Sequence, residues 1–252
     1  MNTIALAELV NHLNGILKPH KTKDYCPNGL QVEGSGQVVK LVTGVTASQT
    51  LIDEAVAREA DAILVHHGYF WKGESPAITG IKKSRIGTLL KHDISLIAYH
   101  LPLDVHLEFG NNVQLARHLG WLPDEVVPNY PLPLVRTTEF EEAMEPGLLI
   151  NQLEEKLNRR PLHIEASRPI GRVAWCTGAA QSYFEEAIGM GADAFVSGEI
   201  SEQTVHLARE YDVHYFAAGH HATERYGVKA LGEHLSQSMG LDVEFIDCPN
   251  PV

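Results

Sequence analysis

The chain repeats itself, and that constrains its fold more than any single motif. "LVNHLNGIL" at 9–17 returns as "LINQLEEKL" at 149–157, and "TG" at 43 returns as "TG" at 177. "EAVAREADA" at 54–62 returns as "EAIGMGADA" at 186–194, and "ISLIAYHLPLD" at 94–104 aligns with "HYFAAGHHATE" at 214–224. The order is kept and the separation shrinks steadily, as small deletions in a second copy would produce. Generic α/β units could give any one of these matches. Four in the same order point to one unit used twice, which predicts a pseudo-two-fold monomer with its site between the halves.

Periodicity supplies the content of the unit. Leu6, Leu9, Val10, Leu13, Ile16 and Leu17 form one face of a helix over 4–17 that Pro19 closes. After a turn-rich stretch at 24–36, strands are expected at 39–45, 62–65 and 94–99, with helices at 48–60, 82–92 and 111–119. In the second half, helices are expected near Ser201 and over 222–237. Strands alternating with helices of this length predict an α/β fold, with mixed sheets covered by helices. Pro123, Pro128, Pro131, Pro133 and Pro146 interrupt the rhythm at 121–146 and mark the boundary. One domain over 1–252 is thus expected, with a first half of about 1–128 and a second of about 129–252.

Charge narrows the function. With 20 Lys and Arg against 32 Asp and Glu, the net charge of -12 disfavours nucleic acid as a partner. Cys26, Cys176 and Cys248 form no C-x-x-C pair, no secretory pattern follows Met1, and no apolar run suits a membrane span. A soluble cytoplasmic protein is expected. There is no G-x-x-x-x-G-K-[ST] loop, no H-E-x-x-H and no G-x-S-x-G elbow.

The chemistry gathers at strand ends, where an open α/β sheet places its ligands. His66 and His67 end "ADAILVHH", while His100 and Asp104 share an H-x-x-x-D spacing after the third strand, repeated as His220 and Glu224. Imidazole nitrogen with carboxylate oxygen suits a divalent transition metal, and on a helix i and i+4 share a face. That fits His220 and Glu224. It fits Asp104 less well, because Pro102 suggests a turn and His100 would then point elsewhere. Adjacent strand residues face opposite sides, so His66 and His67 suit two neighbouring ions better than one. The candidate ligands are His66, His67, Asp104, His220 and Glu224, with His100 nearby and His221 beside them. Glu199, aligned with His67, is a candidate acid, base or outer partner, or simply a polar strand end. Asn28-Gly29 is read as a turn before it is read as a substrate loop. Cys176 and Cys248 are expected to be small buried residues. The remaining histidines, His12, His20, His92, His106, His118, His163, His206, His214 and His234, are scattered as surface or helix-end residues would be.

"YCPNGLQVEG", "TGVTAS", "ADAILVHHGYFWKG", "YHLPLD", "SGEISEQT" and "GHHATERYG" together closely resemble the bacterial YbgI-like members of the NIF-three-like family, often named GTP cyclohydrolase I type 2 homologs. The resemblance covers essentially the whole chain. It implies two divalent ions (Zn, Mn, Fe, Co or Ni) held by His66, His67, Asp104, His220 and Glu224, with His100 adjacent, and a toroidal homohexamer. Two such ions would suit a metal-dependent hydrolase acting on a nucleotide-like or amide small molecule, with His100 or Glu199 shuttling protons. A metal-handling, regulatory or scaffold protein is the competing reading.

Overall fold

The computed structural model describes residues 2–122 and 134–252. Pro123, Pro128, Pro131 and Pro133, and with them the expected boundary near residue 128, lie outside the described residues. The elements run β1 (Ile4–Ala5), α1 (Leu6–Leu17), β2 (Gly29–Val32), β3 (Gln37–Val38), β4 (Lys40–Thr46), α2 (Gln49–Ala57), β5 (Ala62–His67), α3 (Gly80–Lys91), β6 (Ser95–Ala98) and α4 (Leu101–Asp104). There follow α5 (Asn111–Leu119), β7 (Arg136–Met144), α6 (Pro146–Leu157), β8 (Leu162–Ile164), β9 (Ile170–Cys176), α7 (Phe184–Gly189), β10 (Ala194–Ser197), α8 (Glu202–Tyr211), β11 (His214–Ala217), α9 (His220–Met239) and β12 (Asp242–Phe245). The chain forms two compact units, Met1–Gly110 with Gly227–Cys248, and Asn111–Tyr226 with Pro249–Val252.

The first unit holds a five-stranded sheet in the order β12-β4-β5-β6-β2. β12, β4, β5 and β6 are parallel and β2 runs antiparallel at the edge. A parallel sheet is buried on both faces, so its strands read as continuous apolar runs such as Ala62-Ile-Leu-Val65. Leu41, Leu64 and Ile97 face one side with the α1 row Leu6, Leu9, Leu13 and Leu17 and with Val228, Leu231 and Leu235 of α9. Val42, Ile63, Val65 and Leu96 face the other, against Leu51, Ile52 and Ala55 of α2 and Ile86 and Leu89 of α3. Ser48 starts α2 by accepting the Leu51 N–H at 3.2 Å, a side-chain N-cap.

The second unit repeats the plan with the order β7-β9-β10-β11-β8, in which β9, β10 and β11 are parallel and both edges antiparallel. Val173, Trp175, Val196 and Phe216 pack with Leu115 and Leu119 of α5 and Leu149, Leu153 and Leu157 of α6. The repeated "ADA" has the same physical job in both units. Asp61 Oδ2 accepts the N–H groups of Val39 and Lys40 at 2.8 and 2.9 Å, and Asp193 Oδ2 accepts those of Gly171 and Arg172 at 3.0 and 2.9 Å. Each carboxylate pins the entry of the preceding parallel strand. The repeated "TG" does not share this equivalence, because Thr43-Gly44 lie inside β4 whereas Thr177-Gly178 follow the end of β9.

His214 is not the surface residue its scattered neighbours suggest. It is fully buried in β11. Its Nδ1 accepts the Ala166 N–H at 3.1 Å and its Nε2 donates to the Arg168 carbonyl at 2.7 Å, which leaves His163 Nε2 to donate to Nδ1 at 3.0 Å. Burial, reinforced by His214 and opposed by Glu165, holds the pKa of His163 below its ordinary value. An unfolded His takes up its proton near pH ~6.5, and the folded one resists, so this contribution is complete above that pH and is lost as pH falls below it. The denaturation midpoint is expected to drop between pH 7 and 5.5. The drop should be smaller in His163→Phe, which keeps a ring over Phe216.

Candidate metal centre

In the first unit β5 runs through both imidazoles, and strict alternation does not separate them. The His66 and His67 rings lie 4.5 Å apart and both approach His100, at 5.1 and 5.7 Å. One ring nitrogen from each of the three lies within 4.8 Å of the others, so His66, His67 and His100 could hold a metal ion. The pair converges because the strand ends there. Gly68 turns the chain, and a Cβ at Gly68 would overlap Gln31 Oε1 and come within 2.6 Å of Ala98 Cβ.

His100 belongs to this group, contrary to the expectation that it points away. Pro102 sits in the first turn of α4, where its missing N–H costs nothing, so residues 101–104 are helical rather than a turn. That brings Asp104, which is 6% exposed, to 3.5 Å between its Oδ1 and His66 Nε2.

Each imidazole has its Nδ1 occupied by the fold. His66 Nδ1 lies 3.0 Å from the Tyr99 carbonyl and His67 Nδ1 lies 3.1 Å from Thr46 Oγ1. His100 Nδ1 lies 2.7 Å from Asp24 Oδ1. Fixing one ring nitrogen sets the tautomer and aims the other, as the outer partners of metal-bound histidines do. Asp24 also accepts from Asn28 Nδ2 at 2.8 Å and from the Leu101 N–H at 2.9 Å, while Asn28 Oδ1 accepts the His100 N–H at 2.7 Å. Burial pushes the Asp24 carboxyl up, but hydrogen bonds from His100 and Asn28, the His100 charge and the Tyr25 N–H more than offset it, and the pKa stays below the ordinary value. Neither Asp24 nor Thr46 is singled out by the sequence reading. They act across the fold, and only the "DYCPNG" turn signal touches one of them. Asn28 is more than a turn residue, although Gly29 does adopt φ +106°.

In the second unit α9 starts at His220, two residues earlier than expected, and places His220 and Glu224 on one face with Nε2 and Oε2 3.0 Å apart. Glu199, just past β10, lies 2.7 Å from His220 Nδ1. Glu224 is 3% exposed. Burial lowers the pKa of His220, but Glu224 and then Glu199 outweigh it and raise the pKa to about 9. Gly178 has φ +71°, and a Cβ there would overlap Glu224 Oε1 and lie 3.2 Å from His220 Nε2. The loop after β9 thus leaves space around a carboxylate and an imidazole that a side chain would fill. His221 is buried, and its main-chain N–H donates to the Val252 carbonyl at 3.0 Å.

Buried and half-buried imidazoles, with the buried carboxylates of Asp104 and Glu224 near the carboxyl ends of parallel strands and outer partners in place, fit a borderline divalent cation by donor type. The fold and these groups define an α/β protein whose His, Asp and Glu clusters could hold metal. The chain belongs to the Duf34/NIF3 (NGG1p interacting factor 3) family, whose profile matches residues 4–251. It is 54% identical over 249 residues to the GTP cyclohydrolase 1 type 2 homolog of Pseudomonas aeruginosa, covering 98% of this chain and 99% of that one. It is 53% identical to the protein of the same name from Escherichia coli, covering 97% and 98%. Among solved structures it matches protein ybgI, of unknown function, with a TM-score of 0.94 and 50% identity, covering 99% of this chain and 100% of that one. A protein of Thermus thermophilus matches with a TM-score of 0.85 and 32% identity, covering 99% and 100%. No helix among the described residues is long and apolar enough to cross a membrane.

Proposed function

We propose that the protein is a dinuclear divalent-metal hydrolase, in which His66, His67, Asp104, His220 and Glu224 hold two ions and the substrate is a nucleotide-like or amide small molecule. The single observation that supports this most is that His66, His67, His100 and His220 each have Nδ1 engaged by an oxygen of the fold, the arrangement that outer partners give to metal-binding histidines. The relatives' name, GTP cyclohydrolase 1 type 2 homolog, agrees with ring-opening hydrolysis. Bound divalent cations would lower the pKa of water toward neutrality and polarise the carbon under attack.

The chain's own groups supply the rest. His100 takes the proton at Nε2 and returns it to the leaving group, because its Nδ1 is anchored on Asp24, whose carboxylate stabilises the imidazolium. Glu199 acts through His220, holding the ring with Nε2 toward Glu224. The proposed assembly is a homohexamer in the cytoplasm, and the two units descend from one duplicated unit.

The pKa of His220 gives a sign to metal uptake. With a pKa of about 9, the ring is protonated at pH 7 and must lose a proton before Nε2 can bind a cation. Calorimetric titration with zinc in buffers of different ionisation enthalpy is expected to show about one proton released from this residue at pH 7, and none above pH ~10. Affinity should fall as pH is lowered. Glu199→Gln, which keeps a partner for Nδ1 but removes its charge, is expected to weaken zinc binding about 10- to 100-fold, read by competition with a chelating dye.

The test of function is elemental analysis of the purified protein, followed by a screen of nucleotides and small amides in its metal-loaded form. Turnover that disappears with chelation and in Glu224→Ala is the expected result. Turnover that survives both overturns the hydrolase reading, and stoichiometric metal with no turnover leaves a metal-handling protein.

A further inference from the structure

Among the described residues, six non-glycine residues have positive φ, and five of them, Lys18, Glu59, Asp93, Asn158 and Asp212, lie at helix C-termini, where the left-handed conformation is routine. The sixth is Phe70, with φ +65°, and no helix ends there. A bulky residue in this region is a strained outlier of the kind that collects at ligand sites. The surroundings hold it in place. Gln31 Oε1 accepts the Tyr69 N–H at 2.7 Å and Gln31 Nε2 donates to the Tyr69 carbonyl at 3.2 Å. The Tyr69 hydroxyl donates to the Ala47 carbonyl at 2.8 Å, and the Lys72 N–H donates to the Tyr25 carbonyl at 2.6 Å.

The turn delivers aromatic surface to the imidazoles. Trp71 meets His100 edge to face at 4.9 Å and lies 6.0 Å from His67, while Tyr25 lies 6.3 Å from His100. Tyr25 is 57% exposed and borders the half-buried His100. The indole N–H of Trp71 is already bonded to the Gly68 carbonyl at 3.2 Å, so the ring offers a partner only its carbon faces and edges. Flat rings without a spare donor on the indole select by stacking. A cationic ligand is disfavoured beside bound metal cations, so cation–π recognition does not fit.

We infer that Tyr25 and Trp71 form a stacking wall that takes a planar, uncharged heteroaromatic ring and sets it beside His66, His67 and His100. This rests on the metal reading above and specifies the substrate's reacting part. Neither residue is a metal ligand here; both are specificity-determining.

Tryptophan emission reads the wall directly, because Trp121 and Trp175 are 3% and 0% exposed and Trp71 is the half-buried one. The zinc-loaded full chain is titrated with guanosine, uridine and 5,6-dihydrouridine, the last keeping uridine's polar groups but losing its planarity. Guanosine and uridine are expected to quench the emission, and dihydrouridine to bind about tenfold more weakly or worse. By calorimetry, Trp71→Leu and Tyr25→Leu should each weaken guanosine at least about tenfold with zinc content unchanged, and Trp71→Phe should restore most of the loss. Equal binding of uridine and dihydrouridine, wild-type affinity in Trp71→Leu, or no binding of any planar nucleoside overturns the inference. The same titration on zinc-free protein separates the two readings. Ring binding without zinc leaves the wall standing if the metal reading fails, whereas zinc bound with no ring binding removes only the wall.

Discussion

Replacing Glu224 by alanine is expected to weaken metal binding by more than about 100-fold, beyond the 10- to 100-fold typical of removing an outer partner. Glu224 is a buried carboxylate 3.0 Å from His220 Nε2, while Glu199 holds the Nδ1 side of the same ring. Alanine is a strong helix former, so α9 should persist and the change should be confined to the donor set. The measurement is thermal unfolding with and without zinc. At a free concentration 100 times the wild-type Kd, zinc should add about 2.7 kcal/mol to the wild type, and the variant should show almost none of this. A variant that retains the metal-linked rise would remove Glu224 from the site.

The second large effect is expected at a residue with no side chain. Gly178→Ala forces a left-handed backbone on an L-residue, at a cost of about 1–2 kcal/mol, and its Cβ would overlap Glu224 Oε1. Because Glu224 must move, the variant should lose metal affinity as Glu224→Ala does and, unlike it, should also unfold at lower denaturant without metal. The control is Gly15→Ala, in the last turn of α1 with nothing within 4 Å of the added Cβ. It should be neutral or stabilising by about 0.5–1 kcal/mol. Urea denaturation of both variants, with zinc content measured in parallel, separates backbone strain from loss of a ligand.

The parallel strands are legible because burial on both faces writes them as apolar runs, and "ADA" is legible because one Asp anchors two backbone amides in each unit. The His220 and Glu224 pair follows directly from helical spacing. Other features require the third dimension. Edge strands β2, β7, β8 and β12 are paired on one side only, so no continuous apolar run announces them. Asp24 reaches His100 across 76 positions of sequence, and no local pattern encodes that bond. The convergence of His66 and His67 runs against strand alternation because the strand ends at Gly68. His214 is indistinguishable by sequence from solvent-facing histidines, since burial of a single imidazole depends on the acceptor and donor that loop 166–168 supplies.

The proposed function requires these nitrogen and oxygen donors to bind a pair of divalent cations. Anomalous diffraction from crystals soaked in zinc or manganese tests it most directly. Two peaks about 3.5–4 Å apart are expected, coordinated by Nε2 of His66, His67 and His220 and by oxygens of Asp104 and Glu224. Fully occupied cations bound elsewhere, or no peak at these five side chains at saturating metal, would contradict it.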